Sequence, residues 1–496
     1  MHKMQKGRFM RKNNPDNKTD NKQAGGKKAK SKNHEFSVIT YLFFFLFLAL
    51  AVYFIVFLFA TKEDYVNSTY NPLQDLNAKN VVRGEILSAD GEVLAYTQVD
   101  ADGNETRVYP YGRMFSHVVG YAVNGKGGLE SQLNFKLLQS HSFFVDQIAN
   151  DFKGEKSVGD NVITTLDCDL QKAAYNALGD YDGAVIVMEP KTGKILAMVS
   201  KPDFDPGTVA QNWDTITEDG STVLFNRATQ GQYTPGSVFK IFTTLEYYRE
   251  NPLRYKRYEF TCDSAYTYGE DTLHCAGNTA HGEEDLIASF ANSCNSSYAN
   301  IALSLDQDAY RQLCDSLLFN QKLPIAFESS TSKVSMSSSD SSFTIMQTGI
   351  GQGSTLVTPL HMVMIASAID NDGVLMQPYL VNSVETAGGV RVSSESPKKY
   401  DTLLSKKEAA LLQECMSAVV EYGTATRLAN QSYQAFGKTG TAQVSDTSDK
   451  INSWFVGYAK QEGYEDIAIA VVVEGYGSGS TYAVPVTKQI FDAYFQ

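Results

Sequence analysis

Charge is missing altogether from one stretch of this 496-residue sequence, "FSVITYLFFFLFLALAVYFIVFLFA", Phe36 to Ala60. As a helix rising ~1.5 Å per residue it would be about 37 Å long, enough to cross a hydrocarbon core of roughly 30 Å with some tilt. A small-x-small cleavage site is also missing, since "FLFATKED" offers none. The segment therefore reads as an uncleaved signal anchor rather than a removable secretory signal. Cysteine is scarce: six residues, at 168, 262, 275, 294, 314 and 415, all beyond the apolar stretch. None forms a CxxC pair or a Cys/His ligand spacing, which argues against a structural zinc site, and no metal or cofactor is expected. Cys262 and Cys275 bracket a short segment and would suit a disulfide in an oxidising compartment. Six reduced, mostly buried thiols are the favoured expectation.

Acidic residues are few at the start. Residues 1–35 hold 11 Lys/Arg against 3 Asp/Glu, a net of +8, whereas the rest holds 32 against 53, a net of -21. Basic residues before the span, with Lys62-Glu63-Asp64 after it, predict a cytoplasmic tail over 1–35, an anchor over 36–60 and an extracytoplasmic part over 61–496. A basic tail beside a membrane needs no nucleic acid, and none is expected as a partner.

The outer part has two textures. Residues 61–160 read as a small module of short strands and turns without catalytic features. Within it "RGEILSADGEVLAYTQVD" predicts a hairpin turning at Ala89-Asp90-Gly91, and "HVVGYAVNGKGGLE" a strand leading into a loop. From 161 onward "TLDCDLQKAAYNAL" has helical spacing, and "GAVIVMEPKTGKILAMVS" predicts two strands joined at Pro190–Gly193. A helical region from 237 to about 320 comes next, then a serine-rich stretch over 329–342 expected to be a mobile loop. A helix opens at Thr358-Pro359. Three strands in "AFGKTGTAQV", "SWFVGYAK" and "IAIAVVVEG", and a last helix in "VTKQIFDAYF", end the reading. Two strands, a helical block, three strands and a helix can form one antiparallel sheet with helices packed on it.

Three short motifs carry chemistry. In "QYTPGSVFKIF", Ser237 lies near a helix N-terminus, where unpaired N–H groups favour developing negative charge. Lys240 is one turn along the same face and can act as base if burial and a neighbouring cation keep it neutral. Alone the pattern is cheap, because Ser330-Lys333 and Ser396-Lys399 repeat it in polar loops. In "SCNSSYAN", Ser293 and Asn295 offer a proton relay and an amide clamp, although Ser31-Lys32-Asn33 shows how easily that spacing recurs. In "FGKTGTAQ", Lys438, Thr439 and Thr441 can receive a carboxylate, and Gly440 lets a peptide approach the backbone. A second Lys-Thr-Gly, at 191–193, falls in the predicted hairpin bend.

Taken in order, Ser-x-x-Lys, Ser-x-Asn and Lys-Thr-Gly resemble the motif set of the penicillin-binding proteins and serine β-lactamases. "RGEILSADGEVLA", "EPKTGKILAMVSKPDFDP", "GIGQGSTLVTPLHMVMIASAIDNDGVLMQPYLV", "EYGTATRL" and "SWFVGYA" extend the resemblance to class B penicillin-binding proteins over most of 80–496. The resemblance implies an α+β fold. A five-stranded antiparallel sheet with helices on its faces and an all-helical subdomain would occupy 161–496, behind a pedestal or dimerisation-like module at 61–160. It implies a D,D-transpeptidase acting on peptidoglycan stem peptides through a Ser237 acyl-enzyme, with β-lactams as covalent inhibitors. Lys240 would be the base, Ser293 the relay and Asn295 the clamp. Lys438 would be the cation that keeps Lys240 neutral, with Thr439, Gly440 and Thr441 at the substrate and a membrane glycan polymerase of the SEDS type as partner. A membrane-anchored carboxypeptidase or β-lactamase-like hydrolase would use the same motifs. No Glu-x-x-Leu-Asn segment, which would activate a deacylating water, occurs between Ser293 and Lys438.

Overall fold

The structure is a computed structural model, and it describes residues 33–60, 79–141, 156–445 and 448–496. The basic tail and the parts of the small module at 61–78 and 142–155 lie outside the described residues. Residues 1–65 and 66–496 are separate units. In the first, α1 (Asn33–Ala60) contains an apolar segment, Phe36–Phe57, whose described side chains are almost all exposed, as a membrane-facing helix requires.

The second unit runs in chain order as follows. β1 (Ile86–Leu87), β2 (Val93–Val99), β3 (Glu105–Val108) and β4 (Asn161–Thr164) come first. Helix α2 (Cys168–Leu178), capped by the Asp167 carboxylate on the Leu170 N–H, leads into β5 (Gly183–Met188) and β6 (Ile195–Lys201). α3 (Lys240–Glu250) precedes four short strands: β7 (Phe260–Cys262), β8 (Ala265–Tyr268), β9 (Asp271–His274) and β10 (Gly282–Glu284). α4 (Leu286–Ala291), α5 (Asn295–Ser304), α6 (Gln307–Ser316) and α7 (Pro359–Asp370) follow, then β11 (Val381–Glu385), β12 (Arg391–Ser394) and α8 (Lys406–Glu421). β13 (Gln434–Ser445), β14 (Ser448–Lys460), β15 (Ile467–Val473) and α9 (Ala483–Tyr494) complete it.

The main sheet has the order β13-β14-β15-β5-β6 and is antiparallel throughout, as the sequence led us to expect. Its central strands β5 and β15 are buried at every position, so they read as unbroken apolar runs rather than alternating ones. α7, buried over all twelve residues, crosses β5, β14 and β15, and α2 and α9 pair with each other, α2 against β6 and α9 against β14 and β15. Thr358 caps α7 by accepting from the His361 N–H, with Pro359 in its first turn.

Four expectations need correction. The small module is not contiguous in sequence, because its six-stranded sheet, β12-β11-β4-β1-β2-β3, borrows β11 and β12 from residues 381–394. "HVVG" is a short buried helix, Ser116–Val119, ended by Gly120 at φ +82°; so short an apolar run fits strand or helix equally by pattern. The block after residue 237 is not all helical, since it contains β7–β10. The serine-rich stretch is packed rather than loose: Lys333 bridges to Leu356, Ser332 is buried and accepts from the Thr358 N–H, and Val334 and Met336 enter the core. In the module, the buried Glu130 carboxylate joins Arg83 and Arg107 at 2.5 and 2.7 Å, which ties "RGE" to "GGLE".

Candidate active site

The nucleophile turn is fixed from both sides. Tyr233 and Val357 exchange backbone hydrogen bonds, and the Gly236 N–H donates to Gly351 O at 2.8 Å. Gly236 has φ +55°, and a Cβ there would lie 2.5 Å from Thr441 O, so glycine is required on both counts. Residues 236–239 form one tight helical turn that runs straight into α3. Ser237 is thus at the head of a helix, half-buried, with Lys240 fully buried one turn on. The two share a turn but no hydrogen bond among the described residues. Instead, Lys240 Nζ donates to Ser293 O (2.7 Å), Ser293 Oγ (3.3 Å) and Asn295 Oδ1 (2.8 Å).

Ser293 lies between α4 and α5 in the left-handed region, φ +59°. Cys294 caps α5, its Sγ accepting from the Ser297 N–H at 3.4 Å. Asn295 Nδ2 donates to His274 O at 3.0 Å, which fastens the motif to the end of β9.

The third motif occupies the middle of β13, an edge strand of the main sheet. Lys438 is fully buried, with its Nζ 5.4 Å from the Phe290 ring centroid and donating to Thr439 O at 3.3 Å. Thr439 Oγ1 hydrogen-bonds Thr424 Oγ1 at 2.6 Å. Thr441 is exposed, its hydroxyl accepting from the Gly479 N–H at 3.4 Å. A Cβ on Gly440 would meet Pro235 O at 2.8 Å and Trp454 Cβ at 2.9 Å. The bare backbone at Gly440 therefore admits the nucleophile turn. The Trp454 indole completes the joint by donating to Thr234 O at 3.2 Å.

Two buried lysines set the electrostatics. Burial pulls the Lys240 amine down to about 8, against the opposing pull of Cys294, Cys275 and Glu284. Lys438 is driven well below its usual range by burial and then by the charge of Lys240. Lys240 has three oxygen acceptors and Lys438 one, and Lys438 is pulled further down, so these surroundings favour the proton on Lys240 over Lys438.

The earlier Lys-Thr-Gly is a bend. Thr192 Oγ1 donates to Glu189, Gly193 has φ +87°, and Lys191 is exposed beside Asp466 at 3.2 Å. The other two Ser-x-x-Lys spacings fall on segments without helix, so their members do not share a face. Thr424, Tyr298 and Phe290 also belong to the site's walls. Only Thr424 had a signal, its place in "EYGTATRL".

The cysteines follow the favoured expectation: all six are free and buried, and Cys262 and Cys275 are not joined, their sulfurs lying 3.6 Å apart. Cys294 and His281 converge on the same point, although their spacing gave no sign of it. The four groups come from four separate segments of the chain, so no local spacing brings them together.

Comparison with known proteins agrees with this arrangement. The profile of the penicillin binding protein transpeptidase domain matches residues 183–492, and that of the penicillin binding protein A dimerisation domain matches 83–162. Peptidoglycan D,D-transpeptidase PbpA of Mycolicibacterium smegmatis is 30% identical over 438 residues, covering 82% of this chain and 87% of that protein. The imipenem acyl-enzyme complex of penicillin-binding protein A from M. tuberculosis superposes with TM-score 0.75 at 27% identity, over 84% of this chain and 99% of that one. The D,D-transpeptidase domain from Eggerthella lenta gives 0.73 at 31%, over 83% and 99%.

Proposed function

Because this chain belongs to the penicillin-binding protein transpeptidases and is a peptidoglycan D,D-transpeptidase, we propose that Ser237 is its nucleophile and that Lys240, Ser293, Asn295 and the Lys438 strand serve it. The observation that supports this most is the docking of the Ser237 turn between the Lys240–Ser293–Asn295 cluster and the edge of β13. An edge strand with unpaired backbone groups accepts an extended peptide as an added strand.

In this reading Ser237 Oγ attacks the carbonyl carbon of the penultimate D-Ala and passes its proton to a neutral Lys240. The N–H groups of Ser237 and Thr441 receive the oxyanion; losing one such donor costs about 10²–10³ in rate. Collapse breaks the D-Ala–D-Ala bond. The departing amine takes a proton from Lys240 through the Ser293 hydroxyl, and Asn295 holds the stem-peptide amide. An amine of a neighbouring stem then attacks the ester carbonyl, returns a proton through the same relay and frees Ser237.

The resting charge on Lys240 has to be moved first. A substrate carboxylate arriving at Lys438, Thr439 and Thr441 favours the cationic form of Lys438, and two cations so placed oppose each other. Substrate binding thus shifts the proton from Lys240 to Lys438, and the neutral Lys240 amine becomes the base.

The excess of Lys/Arg ahead of α1 supports a cytoplasmic N-terminus with the catalytic part outside. A separate membrane glycan polymerase of the SEDS type fits the short span between anchor and catalytic domain. The test is transfer of a stem-peptide mimic by the full-length protein in detergent. An aminolysis product with added acceptor amine is expected, and release to water regardless of acceptor would mark a carboxypeptidase instead.

A further inference from the structure

We propose that Cys262, Cys275, His281 and Cys294 form a structural zinc site that holds the Ser293–Asn295 turn in place. The four ligand atoms lie within 4.8 Å of one another. Cys262 Sγ is 3.6 Å from Cys275 Sγ and 3.4 Å from His281 Nδ1, and Cys275 Sγ is 3.8 Å from Cys294 Sγ. A tetrahedral ion with bonds of about 2.3 Å to sulfur and 2.0–2.1 Å to nitrogen has edges of roughly 3.8 Å between sulfurs and roughly 3.5 Å between sulfur and nitrogen. A disulfide needs about 2.05 Å and would use only two of three thiols.

The surroundings suit bound thiolates. The Ser296 N–H and hydroxyl lie 3.5 and 3.2 Å from Cys275 Sγ, and the Ser297 N–H points at Cys294 Sγ, so the sulfurs receive donors as metal thiolates do. Cys294 also stands at a helix N-terminus, where a thiolate is favoured.

The insert itself argues for a metal. β7 pairs only with β10, and β8 only with β9, in strands of three or four residues. The buried residues at its centre are Cys262, Cys275 and Cys294, with Phe260 against them, while of its strands only Leu273 is buried in the main core, with Phe260 and Tyr266 partly buried against it. So small a unit lacks the apolar area to hold itself, and a metal is a common remedy. Four protein ligands leave no open position, so the ion is structural and takes no part in the acyl transfer. On binding, the thiols release their protons and the imidazole ligates through Nδ1.

The position of one ligand links this site to catalysis. Cys294 is the residue between Ser293 and Asn295, and its neighbour Asn295 is already tied to His274 O. An ion at this point fixes the backbone that presents the relay hydroxyl and the amide clamp, in a stretch that includes the left-handed Ser293.

The test uses the full-length protein in detergent. Elemental analysis is expected to give about one zinc per chain, lost in Cys262→Ser and in His281→Ala and kept in Cys415→Ser, with all six thiols alkylated after denaturation. Zinc-edge absorption on unmutated protein is expected to show three sulfurs at about 2.3 Å and one nitrogen, a readout that holds even if a variant fails to fold. Absence of zinc with free thiols, a disulfide among the three cysteines, or zinc retained in both variants would overturn the site. Chelation of the unmutated protein is expected to slow penicillin acylation by about 10²-fold, the scale of a 1 Å misplacement, with recovery on adding zinc. Zinc loss without a change in acylation would overturn the positioning role.

Discussion

The two walls of the active site are held by different means. β13 sits on a five-stranded sheet whose neighbours β14 and β15 are buried almost throughout, and Lys438 and Gly440 inherit their positions from that core. The Ser293–Asn295 turn faces β7–β10, where a few short strands surround three cysteines and a histidine. One wall is set by apolar packing over many residues, and the other by ligands that converge on one point. Packing distributes its stability, so single substitutions there act through local clashes; a ligand cluster concentrates it, so one lost group releases the whole wall.

Substitutions at the two copies of Lys-Thr-Gly should show the largest contrast. Lys438→Ala removes the buried amine that takes up the proton of Lys240 and meets the substrate carboxylate, and is expected to slow acylation by about 10²–10³, the range for losing one electrostatic contact at a reacting centre. Lys191→Ala alters an exposed bend and should leave acylation within about twofold and stability within ~0.5 kcal/mol. Stopped-flow acylation by a chromogenic cephalosporin reads both. Equal losses would mean that the first copy is more than a turn.

Removing the metal should separate the walls next. Hydrogen exchange after chelation should rise over residues 260–300 and stay unchanged over β13–β15, because the apolar core does not depend on the ion. A uniform rise would make the cluster a prop for the whole domain.

The pH profile gives a smaller effect. With the Lys240 amine at about 8 through burial, the proton that passes to Lys438 on substrate binding is present below that value and lost above it. Acylation kcat/KM is expected to be level below about pH 8 and to fall toward higher pH. A profile that rises through pH 8 would mean that Lys240 must lose its proton to solvent before substrate binds.

Gly440→Ala should act on stability more than chemistry. The added Cβ meets Pro235 O and Trp454 Cβ at under 3 Å, an overpacking worth about 1–3 kcal/mol. A lower Tm read by calorimetry, with the motif side chains unchanged, is the expected result.

Much of this molecule was legible in its sequence, and the rest was hidden for physical reasons. The main sheet could be read because β5 and β15 are apolar runs of strand length and α7 announces its start with Thr358-Pro359. The three motifs could be read because each spans three or four residues of one turn or strand. The borrowing of β11 and β12 by the small sheet could not, since pairing between residues some 220 apart leaves no local pattern. Nor could the buried course of the serine-rich stretch, whose polar composition hides the alternate burial of Ser332, Val334 and Met336. Cys262, Cys275, His281 and Cys294 come from a strand, two turns and a helix cap, so no short window contains two of them as a ligand pair. The direction of charge between Lys240 and Lys438 required the acceptors around each amine.

The most direct measurement of the account is the site of penicillin attachment. Full-length protein treated with labelled penicillin, digested and sequenced by mass spectrometry should carry one adduct, on Ser237, absent from Ser237→Ala. An adduct on any other residue, or one that survives Ser237→Ala, would contradict it.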